Sequence, residues 1–419
     1  MERALLVTIK LSTERTPWGI EDAAQELEEL ALSAGVEAVD NVIASRDRPT
    51  PDLFIGKGKA EEIALLSQEE GIDTVIFSHN LSGTQQRNLE EAIGRKTIDR
   101  TQLILDIFAR RASSPEGKMQ VELAQLQYLI PRLVGKGIIL SRLGGGIGTS
   151  GPGEQKLEAD RRRIRKRIDK LKEDLKHLTE HRNILRKGRS EKAVPAVALV
   201  GYTNAGKSTL LNALTDARQV ESDALFTTLD PIFRSLQLPN GEKIVISDTV
   251  GFLHNLPHHL IEAFKATLEE VVQADLLIHV LDASNPLVHE HNKAVFEVLK
   301  ELGADRKPLI TALNKIDLVD NKIGFARLMQ DFINPVDISA KLRQNLDILL
   351  EKVQGNFSGR MINAEIMIAH SRMDLVDLLY REGKIKDITY LQKGVRIKLS
   401  LPKILYNKLL VKKEAEDIS

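Results

Sequence analysis

The chain has 419 residues, enough for about three domains. Its composition, 42% hydrophobic and 28% charged, is that of an ordinary soluble globular protein. The formal net charge is zero, so any surface for nucleic acid must be local, and the lack of cysteine excludes disulfides, Cys-ligated zinc and thiol catalysis. No apolar run approaches the roughly 18 residues of a membrane span, and residues 1–10 lack the features of a signal peptide, so we expect a cytoplasmic protein.

Residues 1–115 are predicted to form a small α/β domain, because strand-like and helix-like runs alternate along them. The strand candidates are Leu5–Ile9, Thr74–Phe77 and Thr97–Asp99, and the helix candidates are Ala23–Ser33, Ala60–Glu70 and Thr84–Ile93. The segment F-I-G-K-G-K at 54–59 precedes a helix and fits either an anion site at the helix N-terminus or a plain turn.

Residues 116–190 are predicted to form a helical hairpin. Apolar residues recur every seven positions from Leu157 to Leu185, which is the seam of a coiled coil. The seam consists of Leu157, Ile164, Ile168, Leu171, Leu175, Leu178 and Leu185, with flaws at Arg161 and Arg182. Helical spacing over Met119–Leu133, limited by Pro131, provides a partner helix in the same chain. We therefore expect an antiparallel hairpin and a monomer.

A glycine-dense loop at 136–153 joins these two helices. Residues 146–151 match G-x-G-x-x-G, but Pro152 and a basic heptad helix follow, not the packed helix of a dinucleotide-binding unit. The dinucleotide interpretation is therefore rejected. A mobile tip presented by the helical arm and a flexible linker remain as the two interpretations.

The second helix of the arm is strongly basic. From Lys156 to Lys192, fifteen Lys/Arg stand against seven Asp/Glu, an excess of eight positive charges in a neutral chain. Such a concentration favours contact with a polyanion, and the lack of interleaved aromatics favours phosphate contacts over base stacking. Because the seam takes up the apolar face, structured RNA is favoured over a membrane surface. The predicted RNA contacts are Arg161, Arg162, Arg163, Arg165, Lys166 and Arg167.

Residues 191–358 begin with a strand, a Gly-rich loop and a helix, the order that a phosphate-binding P-loop requires. The loop is G-Y-T-N-A-G-K-S at 201–208, in which Lys207 can reach the β- and γ-phosphates and Ser208 can bind Mg²⁺. The glycines allow backbone N–H groups to face phosphate oxygens. The predicted nucleotide contacts here are Gly201, Tyr202, Thr203, Asn204, Ala205, Gly206, Lys207, Ser208 and Thr209.

Two later segments are predicted to complete the magnesium and γ-phosphate contacts. Asp248, at a strand end within D-T-V-G, would hold Mg²⁺ through water, and the Gly251 N–H would contact the γ-phosphate. The segment F-T-T-L-D-P at 226–231 offers Thr228, with Thr227 as the alternative, for the Mg²⁺ shell. The predicted catalytic residues are Lys207, Thr228 and Gly251, and the predicted magnesium ligands are Ser208, Thr228 and Asp248.

The tetrad N-K-I-D at 314–317 follows an apolar strand and resembles the guanine-reading element of GTPases. The Asp317 carboxylate can accept from both N1–H and the N2 amine of guanine, and adenine lacks both donors, so discrimination by about 10⁴ or more is attainable. Lys315 would cover the base and Asn314 would link this loop to the P-loop. After another short strand, Ser339, Ala340 and Lys341 resemble the last guanine-contacting loop. The expected ligands are GTP and GDP.

Phe252 follows Gly251, at a position where many GTPases have a Gln that orients the attacking water. An apolar ring cannot orient water, so slow hydrolysis is expected unless another group does so. A partner could complete the site. Alternatively, Asn204 could help to hold K⁺ beside the phosphates, because G-x-x-N-x-G-K-S resembles GTPases that use K⁺ in this way.

Residues 359–419 are predicted to form a small α+β domain. The stretch 364–401 has the pattern of a strand, a helix and two strands, with Gly383 and Gly394 in the turns. Nothing in this region has the pattern of a catalytic site.

The P-loop, F-T-T-L-D-P, D-T-V-G-F at 248–252 and N-K-I-D together resemble the Obg-HflX group of GTPases. The Gly-rich segment 143–154, the basic helix after it, and D-R-T at 99–101 followed by I-L-D-I-F at 104–108 resemble the HflX family itself. The resemblance covers nearly the whole chain. It implies a GTPase that binds the large ribosomal subunit, is stimulated by the ribosome, and separates the subunits of stalled ribosomes under stress.

Two other functions are compatible with the sequence. One is a GTP-gated switch that dimerises through its heptads and recruits a protein effector, and the other is an accessory GTPase that drives RNA modification. The basic helix and the Gly-rich loop favour the ribosome. A monomer in solution would count against the dimeric switch.

Overall fold

The computed structural model describes residues 1–13, 18–133, 152–191, 194–215, 225–226, 230–254, 257, 260, 264–411 and 416–417. The chain divides into two compact units. One comprises Met1–Thr179, Ser222–Asp230 and His254–Thr267, and the other comprises Glu180–Glu221, Pro231–Leu253 and Leu268–Ser419. In the described part of the chain, no helix is both long and apolar enough to cross a membrane.

The first unit contains a parallel sheet flanked by helices. Its strands are β1 (Glu2–Leu11), β2 (Val36–Arg46), β3 (Thr74–Phe77) and β4 (Lys96–Asp99), and its first helices are α1 (Ile20–Ser33), α2 (Lys57–Glu69), α3 (Gly83–Ile93) and α4 (Arg100–Arg111). The strand order is β2-β1-β3-β4, with every neighbouring pair parallel. All four residues of β3 are buried, as expected for a parallel strand covered by helices.

The α/β prediction is confirmed, but β2 was not among the predicted strands. Its sequence, V-E-A-V-D-N-V-I-A-S-R, interrupts the apolar positions with charged and amide residues, so it has no clean alternation. The strand lies at the sheet edge and forms by pairing with β1, from Glu2 with Val36 to Leu11 with Arg46, with one register shift between Ala4 and Leu5. Tertiary pairing here outweighs a weak local pattern.

The helical arm consists of α5 (Pro115–Arg132) and α6 (Pro152–Glu191). Ser114 caps α5, because its side chain accepts from the Gly117 N–H at 2.9 Å. The seam residues Ile168, Leu171 and Leu175 are buried in one cluster with Leu123 of α5. The heptad residues therefore pack within the chain, as the hairpin prediction required.

The coiled-coil prediction is wrong at one position of the seam. Leu178 is 36% exposed, although the heptad pattern places it on the seam. The physical reason is that α5 has only 18 residues, so the heptad pattern continues beyond what this partner can cover. The side chains of Leu157 and Leu185, and most of the glycine-dense loop at 136–153, lie outside the described residues.

The buried carboxylate of Asp99 joins β4, α4 and α5. It accepts from the Gln102 N–H at 2.8 Å and thereby caps α4. It also accepts from the Tyr128 hydroxyl at 2.9 Å and from the Arg132 guanidinium at 2.7 Å. The D-R-T segment that resembled the HflX family thus fixes the end of α5, from which the glycine-dense loop departs.

The second unit contains a six-stranded sheet. Its strands are β5 (Ala196–Gly201), β6 (Ile232–Gln237), β7 (Lys243–Asp248), β8 (Leu276–Asp282), β9 (Leu309–Asn314) and β10 (Pro335–Asp337). The helices along this part of the chain are α7 (Lys207–Thr215), α8 (Lys265–Gln273), α9 (Val288–Glu301), α10 (Lys322–Leu328) and α11 (Leu346–Asn356). The order is β10-β9-β8-β5-β7-β6, and only β6 is antiparallel to its neighbour. The loops after β5, β7, β8 and β9 therefore meet at one edge.

The C-terminal part of this unit is a small α+β structure, as predicted. It comprises β11 (Met361–Ile368), α12 (Met373–Glu382), β12 (Lys384–Leu391), β13 (Gly394–Pro402), α13 (Lys403–Val411) and β14 (Glu416–Asp417). The sheet is antiparallel in the order β12-β13-β11-β14. Its core lies between one sheet face and the two helices.

Candidate nucleotide site

The P-loop links β5, in the interior of the sheet, to the N-terminus of α7. A Cβ atom on Gly201 would lie 2.3 Å from the Val280 carbonyl oxygen, and one on Gly206 would lie 2.2 Å from the Asn314 amide nitrogen. Gly206 also has φ of +93°, and Asn204 has φ of +58°, where Asn is better tolerated than most residues. Glycine is therefore required at position 201 by the close approach of β8, and at position 206 by the positive φ and the adjacent Asn314 side chain.

Lys207 is buried, with 7% of its surface exposed. Its ammonium donates to the carbonyl oxygens of Gly201 at 3.1 Å and Tyr202 at 2.7 Å. Burial lowers the pKa of Lys207 to about 8, and the attraction of Asp248 partly opposes this. The Lys207 side chain therefore folds back onto the loop that would surround the phosphates.

Two of the three predicted magnesium ligands lie together. The Ser208 hydroxyl donates to the Asp248 carboxylate at 2.6 Å, which brings the first residue after the P-loop lysine to the end of β7. Hydroxyl and carboxylate oxygens are ligands that suit Mg²⁺. The third ligand, Thr228, and its alternative Thr227 lie outside the described residues.

The P-loop pairs with the D-x-x-G loop through its backbone. Thr203 N–H donates to the Phe252 carbonyl at 2.9 Å, and Phe252 N–H donates to the Gly201 carbonyl at 3.1 Å. This pairing places Gly251 against Thr203 and Lys207. The Phe252 ring is 1% exposed and belongs to the core, so it cannot orient water.

The N-K-I-D loop, the loop at 339–341 and the P-loop meet at Asn314, which is buried. Its amide donates to the Ala205 carbonyl at 2.9 Å, and its oxygen accepts from the Ala340 N–H at 2.9 Å. The Asp317 carboxylate accepts from the Ser339 hydroxyl at 2.5 Å. The structure thus brings together the three segments that the sequence assigned to the nucleotide, with Lys341 exposed beside them.

Sequence reasoning missed two neighbours of this site. Asp282 ends β8 and forms an ion pair with Lys315, whose ammonium lies 2.8 Å from the carboxylate oxygen, and Lys315 has φ of +63°. Tyr202 stacks on His291 of α9 with ring centroids 3.9 Å apart. Asp282 could have been found from the sequence, because it stands at the end of a parallel strand, as Asp248 does.

Residues flanking the predicted switch threonine are held within the first unit. The Asp230 carboxylate accepts from the backbone N–H groups of Ser113 at 3.1 Å and Ser114 at 2.8 Å, and from both hydroxyls. These hydrogen bonds help to lower the pKa of Asp230, although burial opposes them. A Cβ atom on Gly117 would lie 2.3 Å from this carboxylate. Phe226, at φ of +57°, packs edge-on against Phe108 of α4.

The predicted RNA contacts lie on α6 within the first unit. Arg161 is half-buried, and the other five are exposed: Arg162, Arg163, Arg165, Lys166 and Arg167. Arg167 forms two hydrogen bonds of 2.6 Å to Glu122 of α5 and so also fastens the hairpin. The pairing with Arg167 lowers the pKa of Glu122.

Three family models match the chain in succession. They are described as GTP-binding GTPase N-terminal over residues 21–109, GTP-binding GTPase Middle Region over 111–189, and 50S ribosome-binding GTPase over 196–315. The matched segments correspond to the parallel-sheet region, the helical arm and the P-loop sheet.

The chain is also similar to proteins named GTPase HflX. It is 47% identical to one from Caldanaerobacter subterraneus subsp. tengcongensis, covering 95% of this chain and 90% of that protein. It is 45% identical to one from Escherichia coli, covering 86% and 84%. Among solved structures, a GTP-binding protein from Sulfolobus solfataricus in complex with GDP is 26% identical with a TM-score of 0.45, covering 85% of this chain and 98% of that chain.

Proposed function

The chain belongs to the HflX family of GTPases, and from this premise we propose that it is a cytoplasmic factor that binds the large ribosomal subunit. It binds guanine nucleotide and hydrolyses GTP. In this proposal the ribosome stimulates hydrolysis, and the protein separates the subunits of stalled ribosomes under stress. The observation that carries it is the exposed basic surface of α6, joined to a segment that matches the 50S ribosome-binding GTPase model.

The arm supports contact with RNA through phosphates. Arg162, Arg163 and Arg165 are exposed, whereas the apolar side of α6 is buried against α5. Basic side chains of this kind supply salt-dependent affinity without sequence preference, which suits a highly structured RNA surface. Because the seam residues Ile168, Leu171 and Leu175 are buried against α5 of the same chain, we propose a monomer.

The nucleotide-contacting loops support magnesium-assisted hydrolysis. Ser208 and Asp248 would hold Mg²⁺, with Thr228 as the third protein ligand, and the ion would neutralise charge on the β- and γ-phosphates. Lys207 would exchange its bonds to two backbone carbonyls for bonds to phosphate oxygens. The Gly251 N–H would hold the γ-phosphate, and Asp317 would read the guanine edge.

Asn204 is the residue at which a potassium ion could be held beside the phosphates. Asn204 is exposed on the P-loop and has φ of +58°, which places its amide on a sharp turn beside the phosphate-binding backbone. We propose that its oxygen is one K⁺ ligand. Turnover measured in KCl should then exceed turnover in NaCl at equal ionic strength, and Asn204→Ala should remove the difference.

The deciding experiment is GTP turnover with and without purified large ribosomal subunits in K⁺ buffer. We expect a large stimulation, because the ribosome would provide what Phe252 cannot. A variant with Arg162, Arg163 and Arg165 changed to Glu should keep its basal turnover and lose most of the stimulation. Intact GTP binding with no stimulation by the subunits would contradict the proposal, and dimerisation measured by sedimentation would then favour the effector switch.

A further inference from the structure

Hydrolysis needs a group that holds the attacking water in line with the γ-phosphate. Position 252 does not provide one, because the Phe252 ring is 1% exposed and lies in the core. What this residue contributes is its backbone, which pairs with Gly201 and Thr203. The pairing brings a P-loop side chain against the backbone of Gly251, the residue before Phe252.

That side chain belongs to Thr203. A Cβ atom on Gly251 would lie 2.8 Å from the Thr203 Cγ2 atom, 3.0 Å from its Cα atom and 3.1 Å from the Lys207 ammonium. The Gly251 backbone and the Lys207 ammonium are the two groups assigned to the γ-phosphate. Thr203 is therefore adjacent to both of them.

The hydroxyl of Thr203 is buried without a hydrogen bond. The residue is 6% exposed, and among the described residues its Oγ1 atom has no hydrogen-bond partner. A buried hydroxyl left unpaired costs free energy, and valine has nearly the same shape without that cost. Buried polar groups of this kind call for an explanation, of which a catalytic role is one.

We propose that Thr203 is a catalytic residue whose hydroxyl hydrogen-bonds the water that attacks GTP. The water oxygen forms a bond to the γ-phosphorus while the bond from that phosphorus to the β–γ bridging oxygen breaks, and the electron pair leaves with GDP. The water proton passes to an oxygen of the departing phosphate. The Thr203 hydroxyl is unchanged at the end, because it positions the water and is not consumed.

The geometry allows this with a small movement. The methyl group of Thr203 now faces Gly251, and a rotation about χ1 between staggered rotamers can bring the hydroxyl to that side without moving the backbone. The attacking water is then the partner that the buried hydroxyl lacks.

The test compares Thr203→Val, which keeps the shape and removes the hydroxyl, with Thr203→Ser, which keeps the hydroxyl. Single-turnover GTP hydrolysis is measured without ribosomes, and GTP and GDP affinities are measured by titration. We expect Thr203→Val to slow hydrolysis about 10- to 100-fold, the scale of losing one positioned hydrogen-bonding group. Both affinities should stay within about threefold, because the hydroxyl acts mainly in the transition state.

A second readout separates this role from a structural one. Because the hydroxyl has no hydrogen-bond partner among the described residues, Thr203→Val should not lower the melting temperature, and Thr203→Ser should retain most of the hydrolysis rate. The proposal fails if Thr203→Val hydrolyses GTP at the wild-type rate. It also fails if the serine variant is as slow as the valine variant, since keeping the hydroxyl would then not preserve hydrolysis.

Discussion

The P-loop and the N-K-I-D loop present basic side chains, as α6 does, but the loops hold these side chains differently from the helix. Lys207 is buried and bonded to two backbone carbonyls, and Lys315 is paired with Asp282. On α6, Arg162 and Arg165 are exposed to solvent. Burial fixes the direction of each donor and so allows selection of one ligand, whereas exposed charges give affinity that depends on salt and not on fine geometry.

The largest expected effect is on GTP affinity, and it follows from changing the buried Lys207. Lys207→Ala removes the ammonium that is directed into the P-loop, so GTP affinity should fall by about 1,000-fold or more, since a charge-assisted bond in a preorganised site is lost. Nucleotide titration measures it, with Lys300→Ala on the exposed face of α9 as the control. Equal affinities for the two variants would overturn the site assignment.

The next effect concerns the base. In the proposed site the Asp317 carboxylate accepts from two guanine donors. Asp317→Asn replaces this carboxylate with an amide, so GTP affinity should fall about 100-fold. Xanthine nucleotides should gain affinity, because their C2 carbonyl accepts from the new amide. Competition between GTP and XTP measures this preference, and an unchanged ratio would show that Asp317 does not read the base.

The exposed arginines provide the contrasting case. Changing Arg162, Arg163 and Arg165 to Glu should weaken binding to large ribosomal subunits about 10- to 100-fold and reduce its salt dependence, while GTP affinity is unchanged. A variant with Lys293, Lys300 and Arg306 changed to Glu alters net charge equally at another exposed surface and serves as the control. Equal loss in both variants, measured by co-sedimentation, would mean that net charge and not α6 is responsible.

The smallest expected effect is a pH dependence at the buried site. The pKa of Lys207 is lowered to about 8 by burial, so the ammonium loses its proton as the pH rises through 8. A bound phosphate raises that pKa, so GDP affinity should be constant below about pH 7.5 and fall by at most tenfold per unit above pH 8.

Lys207→Arg is the control for this pH dependence, because arginine stays charged. Titrations between pH 7 and pH 9 should show a flat profile for the arginine variant, whatever its absolute affinity. A profile that falls equally in both variants would assign the effect to another group.

Local sequence patterns were sufficient to predict the elements that depend on particular residue types at a fixed spacing. The strand, loop and helix around 196–215 and the strand before 314–317 appear in the structure as predicted. The heptads predicted α6, and the pairing of α6 with α5 followed from their shared apolar spacing. These features are encoded in neighbouring residues, because backbone geometry and side-chain period depend on local sequence.

Other features depend on residues far apart in the chain and could not be read from it. The edge strand β2 forms through pairing with β1, and Leu178 is exposed because α5 is too short to cover it. Asp230 meets Ser113 and Ser114 across more than a hundred residues. No local pattern indicates such contacts, since they arise when separate elements pack.

The sequence by itself therefore determined the nucleotide class, the fold class and the basic character of the arm. The tertiary structure decided which polar atoms meet: Asn314 with Ala205 and Ala340, Lys315 with Asp282, and the Thr203 N–H with the Phe252 carbonyl. The reason is that a motif specifies residue types and spacing. The distance between two side chains on different loops is set by the sheet that brings the ends of its strands together.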